Sequence, residues 1–223
     1  MTKDKIEIWY PLKNTILTQG FYENANDWYV THGMIGHGGY DYVTYYDDKV
    51  LFAEDGYVYK IVNKDADLSK FRAVFQLVEL ENDYILELCY GHANKIYCSN
   101  GYYECGMDCM SEGNTGDVWS GGGKVSVEAR EKGSKAGTHL HLQGRICKKV
   151  KDYSSGFYYL SSQEDETKAY KDDDKYFYRI CDYNNGFNGC VPLTFSRYAG
   201  DSTIYRKIIE LMKQVVKTLK LMQ

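Results

Sequence analysis

Proline is nearly absent, with 2 residues in 223, so no proline-rich linker divides the chain. A basic excess is missing too. The formal net charge is −4, which argues against a general nucleic-acid binder, whose phosphate contacts need clustered Lys and Arg. No run is long and apolar enough to span a bilayer. The first residues, Met1-Thr2-Lys3-Asp4-Lys5, enter a strand-like segment without the apolar core of a secretory leader. The expectation is a chain that is cytosolic at synthesis, exported by another route, or trimmed. No repeat occurs at solenoid periods. Histidine is scarce as well, at five residues, so their placement is informative.

Tyrosine, by contrast, is abundant at 23 residues. Tyr favours strands and half-wet surfaces, which points to a β-rich protein with an amphipathic groove or contact face. Ile6, Ile8 and Tyr10 alternate as a strand does, and a second strand-like run surrounds Thr15–Phe21. Residues 22–36 read as a loop. Asp55-Gly56 between Val50–Ala53 and Tyr57–Val62 predicts one hairpin, and Ala73–Leu80 with Tyr84–Tyr90 predicts a second. The stretch 117–137, with Ser120-Gly121-Gly122-Gly123, reads as a flexible loop. Residues 148–189 carry the acidic runs Glu164–Glu166 and Asp172–Asp174 and read as a surface insertion. The seven cysteines are odd in number; Cys98, Cys105 and Cys109 match no common zinc spacing and read as buried thiols or local disulfides. Cys181 and Cys190 flank a turn and could pair outside a cell.

From Asp201 the period changes. Ile204, Ile208, Leu211, Val215, Leu219 and Met222 recur at three- and four-residue steps, one apolar stripe of an amphipathic helix. Asp201 or Ser202 is the expected N-cap. Packing on its own domain and docking to a partner both explain the stripe. The expected architecture is mainly β, antiparallel sheets forming a groove, spanning 6–200, followed by a C-terminal amphipathic α-helix over 201–223.

Four of the five histidines fall in three short segments. His37 and Asp41 bracket Gly38-Gly39, which disfavours a helical i, i+4 presentation, and the pair is expected instead to converge across a turn onto a following strand. His92 closes a strand at Tyr90-Gly91-His92. In Thr138-His139-Leu140-His141-Leu142, strand alternation sends both imidazoles to one face and both leucines to the other. That pair alone is equally compatible with an exposed surface strand. Zinc suits the combined set, because it takes about four imidazole, carboxylate or thiolate ligands. Two His and one Asp leave a position for water and a net charge of +1, which keeps that water acidic, near a pKa of ~7. The spacing does not decide whether His139 or His141 meets the metal.

These segments resemble the signatures of lysostaphin-type zinc metallopeptidases, which cut peptidoglycan at Gly-Gly or D-alanyl bonds. His37-Gly38-Gly39-Tyr40-Asp41 is similar to the family's His-x-x-x-Asp motif. Tyr90-Gly91-His92-Ala93 is similar to its Tyr-x-His segment, and Thr138-His139-Leu140-His141-Leu142 to its Pro-His-Leu-His-Phe segment. Phe52-Ala53-Glu54-Asp55-Gly56-Tyr57-Val58 and Gly113-Asn114-Thr115-Gly116 fit two further family segments. The resemblance spans roughly residues 10–147. It implies Zn2+ held by His37, Asp41 and His141, with His92 and His139 as the catalytic histidines. Some members use a groove tyrosine near the oxyanion, a place Tyr29 or another Tyr would take. His32 matches no motif position and reads as a loop residue. The chain departs from the pattern at Thr138, which replaces the family's Pro, and at the long stretches 117–137 and 148–189, which would rim the groove.

The resemblance thus implies a zinc-dependent endopeptidase acting on peptidoglycan stem peptides or cross-bridges, outside the cell, at the cell wall or in a phage virion, where it would serve as a tail lysin. The alternative is a non-catalytic wall-binding or tail structural module with a retained metal site. The partners implied are a peptidoglycan peptide and, through helix 201–223, a second copy or a virion protein.

Overall fold

The computed structural model describes residues 6–24, 27–82, 84–151, 171–172, 176–180 and 186–221. In chain order these form β1 (Ile6–Tyr10), β2 (Ile16–Gln19), a short helix α1 (Asp27–Thr31), β3 (Tyr40–Val43), β4 (Lys49–Leu51) and β5 (Gly56–Val62). Next come β6 (Ala73–Glu79), β7 (Tyr84–Gly91), β8 (Gly101–Tyr103), β9 (Asp108–Ser111), β10 (Trp119–Ser120), β11 (Gly123–Lys124) and a short helix α2 (Val127–Glu131). The chain continues through β12 (Leu140–Lys151), β13 (Lys171–Asp172), β14 (Tyr176–Ile180), β15 (Cys190–Val191) and β16 (Leu193–Tyr198). A 3-10 turn (Ala199–Asp201) then leads into α3 (Ser202–Leu221). The protein is mainly β, with antiparallel sheets and a C-terminal helix, as expected; β1 and β16 add a parallel pair.

β12 organises the main sheet. One edge pairs with β7 from His141 to Lys148. The other edge meets three partners in turn: β3 at Leu140–Leu142, β15 at Gly144–Arg145 and β14 at Cys147–Lys151. Alternation then sorts the side chains. Leu140, Leu142 and Ile146 join Leu86, Leu88 and Tyr90 in the buried core. Burying each such leucine contributes about 2 kcal/mol. The alternate residues His141, Gln143 and Arg145 face the other way, and the metal-site candidates lie on that side.

The β6–β7 hairpin forms as expected, paired from Ala73–Gly91 to Glu79–Ile85. The hairpin expected around Asp55-Gly56 does not form. β4 pairs with β9, while β5 pairs with β6 and β8. The backbone ahead of the turn is already engaged: Phe52 N–H donates to the Met107 carbonyl at 2.9 Å and Ala53 N–H to the Tyr90 hydroxyl at 2.9 Å. Those bonds pull β4 away from β5.

Residues 117–137 are also more built than a loop. β10 and β11 form a small hairpin over the triple-glycine turn, and α2 follows, capped by the Ser126 hydroxyl, which accepts from Ala129 N–H at 3.1 Å. The 148–189 stretch adds β13 and β14 to the main sheet. Glu164–Glu166 and Cys181 lie outside the described residues. Cys98, Cys105 and Cys109 are buried thiols.

Helix α3 starts at Ser202, whose hydroxyl donates to the Cys105 carbonyl at 2.7 Å rather than capping its own helix. The first turns are anchored by an edge contact of Tyr205 with Trp9 and by Arg206, which reaches Asp55 and Glu104. The described part of the stripe is exposed all the same: Ile204, Ile208, Leu211 and Val215 are 59%, 47%, 60% and 58% exposed, while the Leu219 side chain and Met222 lie outside the described residues. Packing of this face on its own domain is therefore not what the stripe does here. No helix among the described residues is long and apolar enough to cross a membrane.

Candidate metal centre

Three ligand-type atoms converge where β3 meets β12. His37 sits in the turn before β3, Asp41 on β3, and His141 on β12, directly paired with Asp41. Gly39 makes this approach possible. A Cβ there would lie 2.7 Å from the Leu142 carbonyl oxygen and 2.9 Å from His141 Cε1.

His37 Nε2 is 3.1 Å from His141 Nδ1 and 3.3 Å from Asp41 Oδ1, and His141 Nδ1 is 2.9 Å from Asp41 Oδ1. Tetrahedral zinc with bonds of about 2.0–2.1 Å places its ligand atoms about 3.3 Å apart. The triangle is close to that size, and two imidazoles with one carboxylate are a donor set zinc takes. The ring of His37 is oriented from behind: its Nδ1–H donates to the Gly20 carbonyl at 3.2 Å, which leaves an Nε2 lone pair for the centre. Burial alone would raise the Asp41 carboxyl, but His141 and His37 outweigh it and hold it well below the usual carboxylate range. Burial pulls His141 down, yet Asp41 keeps it above the ordinary imidazole value.

His92 and His139 lie beside this triangle, with ring centroids 4.2 Å apart. His92 follows β7 with a left-handed backbone, φ 64°, a conformation sparsely populated outside glycine. Its Nδ1–H donates to the Thr115 carbonyl at 2.7 Å, and Phe71 meets its ring edge-on. His139 precedes β12, bridged to Gly113, and its Nδ1–H donates to the Gly137 carbonyl at 2.9 Å. A Cβ on Gly113 would lie 2.4 Å from the Asn94 nitrogen, so this approach needs glycine. In both rings the carbonyl fixes the tautomer and leaves Nε2 as the basic nitrogen. His139 Nε2 is 3.8 Å from Asp41 Oδ2. Burial lowers His92 well below the ordinary imidazole value, with His139 and His141 adding to it, and burial lowers His139 too.

All five residues line one open cleft of about 1230 Å³. Tyr29 on α1 and Trp119 on β10 line it as well. The Tyr29 hydroxyl accepts from Gln19 Nε2 at 2.8 Å, and burial with Asp41 nearby pushes its pKa up to about 12. His32 is exposed just past α1 and does not line the cleft that holds the five residues, in keeping with a loop role. The backbone anchors at Gly20 and Gly137 carry no signal in the sequence, whereas Thr115 lies in the Gly113–Gly116 segment and Gln143 lies two residues beyond His141 on one strand face.

No protein-family model and no curated protein matches the chain. Among solved structures, it is similar to a zinc-containing peptidase from Vibrio cholerae at 21% identity and TM-score 0.41, over 62% of this chain and 36% of that one. It is similar to the catalytic domain of the prophage-encoded protein EnpA from Enterococcus faecalis at 16% identity and TM-score 0.40, over 61% of this chain and 86% of that one. It is also similar to the catalytic domain of lysostaphin from Staphylococcus simulans at 18% identity and TM-score 0.36, over 60% of this chain and 80% of that one.

Proposed function

We propose that the protein is a zinc-dependent endopeptidase that hydrolyses amide bonds in peptidoglycan stem peptides or cross-bridges. The observation that carries this is the His37–Asp41–His141 triangle opening on the same cleft as the carbonyl-anchored pair His92 and His139. His37 Nε2, Asp41 Oδ1 and His141 Nδ1 would hold the zinc. When bound, zinc supplies a Lewis acid for the scissile carbonyl and for the attacking water. His92 and His139 each present Nε2 as a base, so they orient that water and take its proton. The Tyr29 hydroxyl, on the cleft wall, donates to the oxyanion that develops. An extended peptide lies along the cleft, between the β2–α1 side and the Trp119 hairpin.

The setting proposed is the cell wall or a phage virion, with the exposed stripe of α3 docking to a second copy or a virion protein. Charge substitutions at Ile208 and Leu211 would lower the sedimentation mass if α3 self-associates. The decisive experiment measures zinc stoichiometry and, by mass spectrometry, the fragments released from purified walls and defined muropeptides. One zinc per chain with new amine ends in the products supports the endopeptidase. Stoichiometric zinc with no release from several wall types overturns it in favour of a non-catalytic wall-binding module.

A further inference from the structure

β12 places His141, Gln143 and Arg145 in a row on one face, and β7 sets Gly91, Cys89 and Glu87 opposite them in register. Behind the metal-site candidates lies a largely buried polar row. Arg145 Nη1 is 3.9 Å from Glu87 Oε1, and the Tyr59 hydroxyl donates to Glu87 Oε2. Gln143 stands between Arg145 and His141 within hydrogen-bond reach of both, and so links that ion pair to the metal-site imidazole.

An amide accepts at one end and donates at the other, so Gln143 cannot serve both neighbours in the same sense. With its oxygen toward Arg145, it accepts from Nε at 2.9 Å and from Nη2 at 3.1 Å. The amide NH2 then meets His141 Nε2, which must be an acceptor. The ring proton in that arrangement sits on Nδ1, 2.9 Å from Asp41 Oδ1. With its oxygen toward His141, Gln143 faces Nε2 at 3.4 Å and accepts its proton. Nδ1 then carries a lone pair aimed at His37 and Asp41, but the NH2 group faces the guanidinium, donor to donor. The amide orientation and the His141 tautomer are thus a single choice, and only the second arrangement can give a metal the Nδ1 lone pair.

We propose that Gln143 is a positioning residue of this centre, and that the hold of Arg145 on its amide oxygen opposes metal capture at His141 Nδ1. The inference rests on the reading of His37, Asp41 and His141 as zinc ligands. A carboxylate at this position accepts at both ends, so it satisfies His141 Nε2–H and Arg145 together. Zinc affinity of the full chain, measured by competition with a chromophoric chelator at fixed pH, tests this. Gln143→Glu is expected to bind zinc about tenfold more tightly than wild type, and Gln143→Leu about 10–100-fold more weakly. Nitrogen-15 spectra of the His141 ring are expected to move from the Nδ1–H to the Nε2–H form on zinc addition in wild type. A Gln143→Glu protein that binds zinc no more tightly than wild type overturns the proposal, and that comparison decides even if Gln143→Leu does not fold. Wild-type uptake abolished by His37→Ala but unchanged in both Gln143 variants overturns the role of Gln143 alone. No uptake by wild type overturns the metal reading and this inference with it.

Discussion

Arg130 Nη1 donates to the Gly116 carbonyl at 2.8 Å and so joins helix α2 to the cleft wall. The same nitrogen donates to the carbonyls of Leu68 at 2.9 Å and Asn114. Asn114 in turn donates to Ser134 and Ala136. One buried guanidinium therefore fastens the long approach to His139. Arg130→Met is expected to strand these carbonyls and destabilise the fold by about 2–4 kcal/mol. Urea unfolding measures the loss; an unchanged midpoint would show that solvent satisfies the carbonyls.

His139, just before β12, and His141, on it, have different expected roles. His141→Ala should lose zinc and activity together, because its Nδ1 is part of the triangle. His139→Ala should keep most of its zinc and lose activity by about 10²–10⁴-fold, the usual contribution of a general base. Metal analysis beside turnover separates them. Loss of zinc from His139→Ala would reverse the assignment.

Trp119 is 45% exposed while lining the cleft, beside Lys124 on the paired strand. Under the proposed function it would pack against substrate, and it is not one of the three candidate metal ligands. Trp119→Ala is expected to raise KM up to about tenfold, the size of an aromatic contact, with kcat and zinc content kept. A fall in kcat at constant KM would place it in the chemistry instead.

Glu112 is fully buried, and Thr44 donates to it from its backbone N–H at 3.2 Å and from its hydroxyl. Burial raises its pKa from 4.5 to about 7, against the pull of Thr44. The folded state then binds the proton more tightly than the unfolded chain does. Its contribution is full below pH 4.5, declines as pH rises toward 7 and is flat above that. The decline is on the order of 3 kcal/mol. Glu54, raised to about 7 chiefly by burial, adds a decline of the same sign. Glu112→Gln should make the stability curve shallower in this range without levelling it. An unchanged slope would show that Glu112 is charged at no extra cost.

Much of this was legible in the residues. Period-two alternation identified β6, β7 and the His139–Leu142 region, and the motif order brought His37, Asp41, His92, His139 and His141 together. What local pattern could not reveal was pairing between distant segments. Asp55-Gly56 has hairpin chemistry, but hydrogen bonds from Phe52 and Ala53 to residues far along the chain override it. Helix α2 has five residues, too few to register a 3.6-residue period. The anchors of His37, His92 and His139 are backbone carbonyls, which leave no mark on side-chain identity.

The succession of partners along β12 bears on how the protein opens. His141 lies on a strand paired on both edges, so its surroundings are expected to open last. Trp119 lies on a two-strand ribbon that pairs with no other strand among the described residues. Amide exchange should therefore be slow around His141 and fast around Trp119, with rigid chemistry below and an adjustable rim above. Inserting residues at the Gly121–Gly122 turn, where a Cβ would meet nothing within 4 Å, would lengthen the rim without loosening the floor.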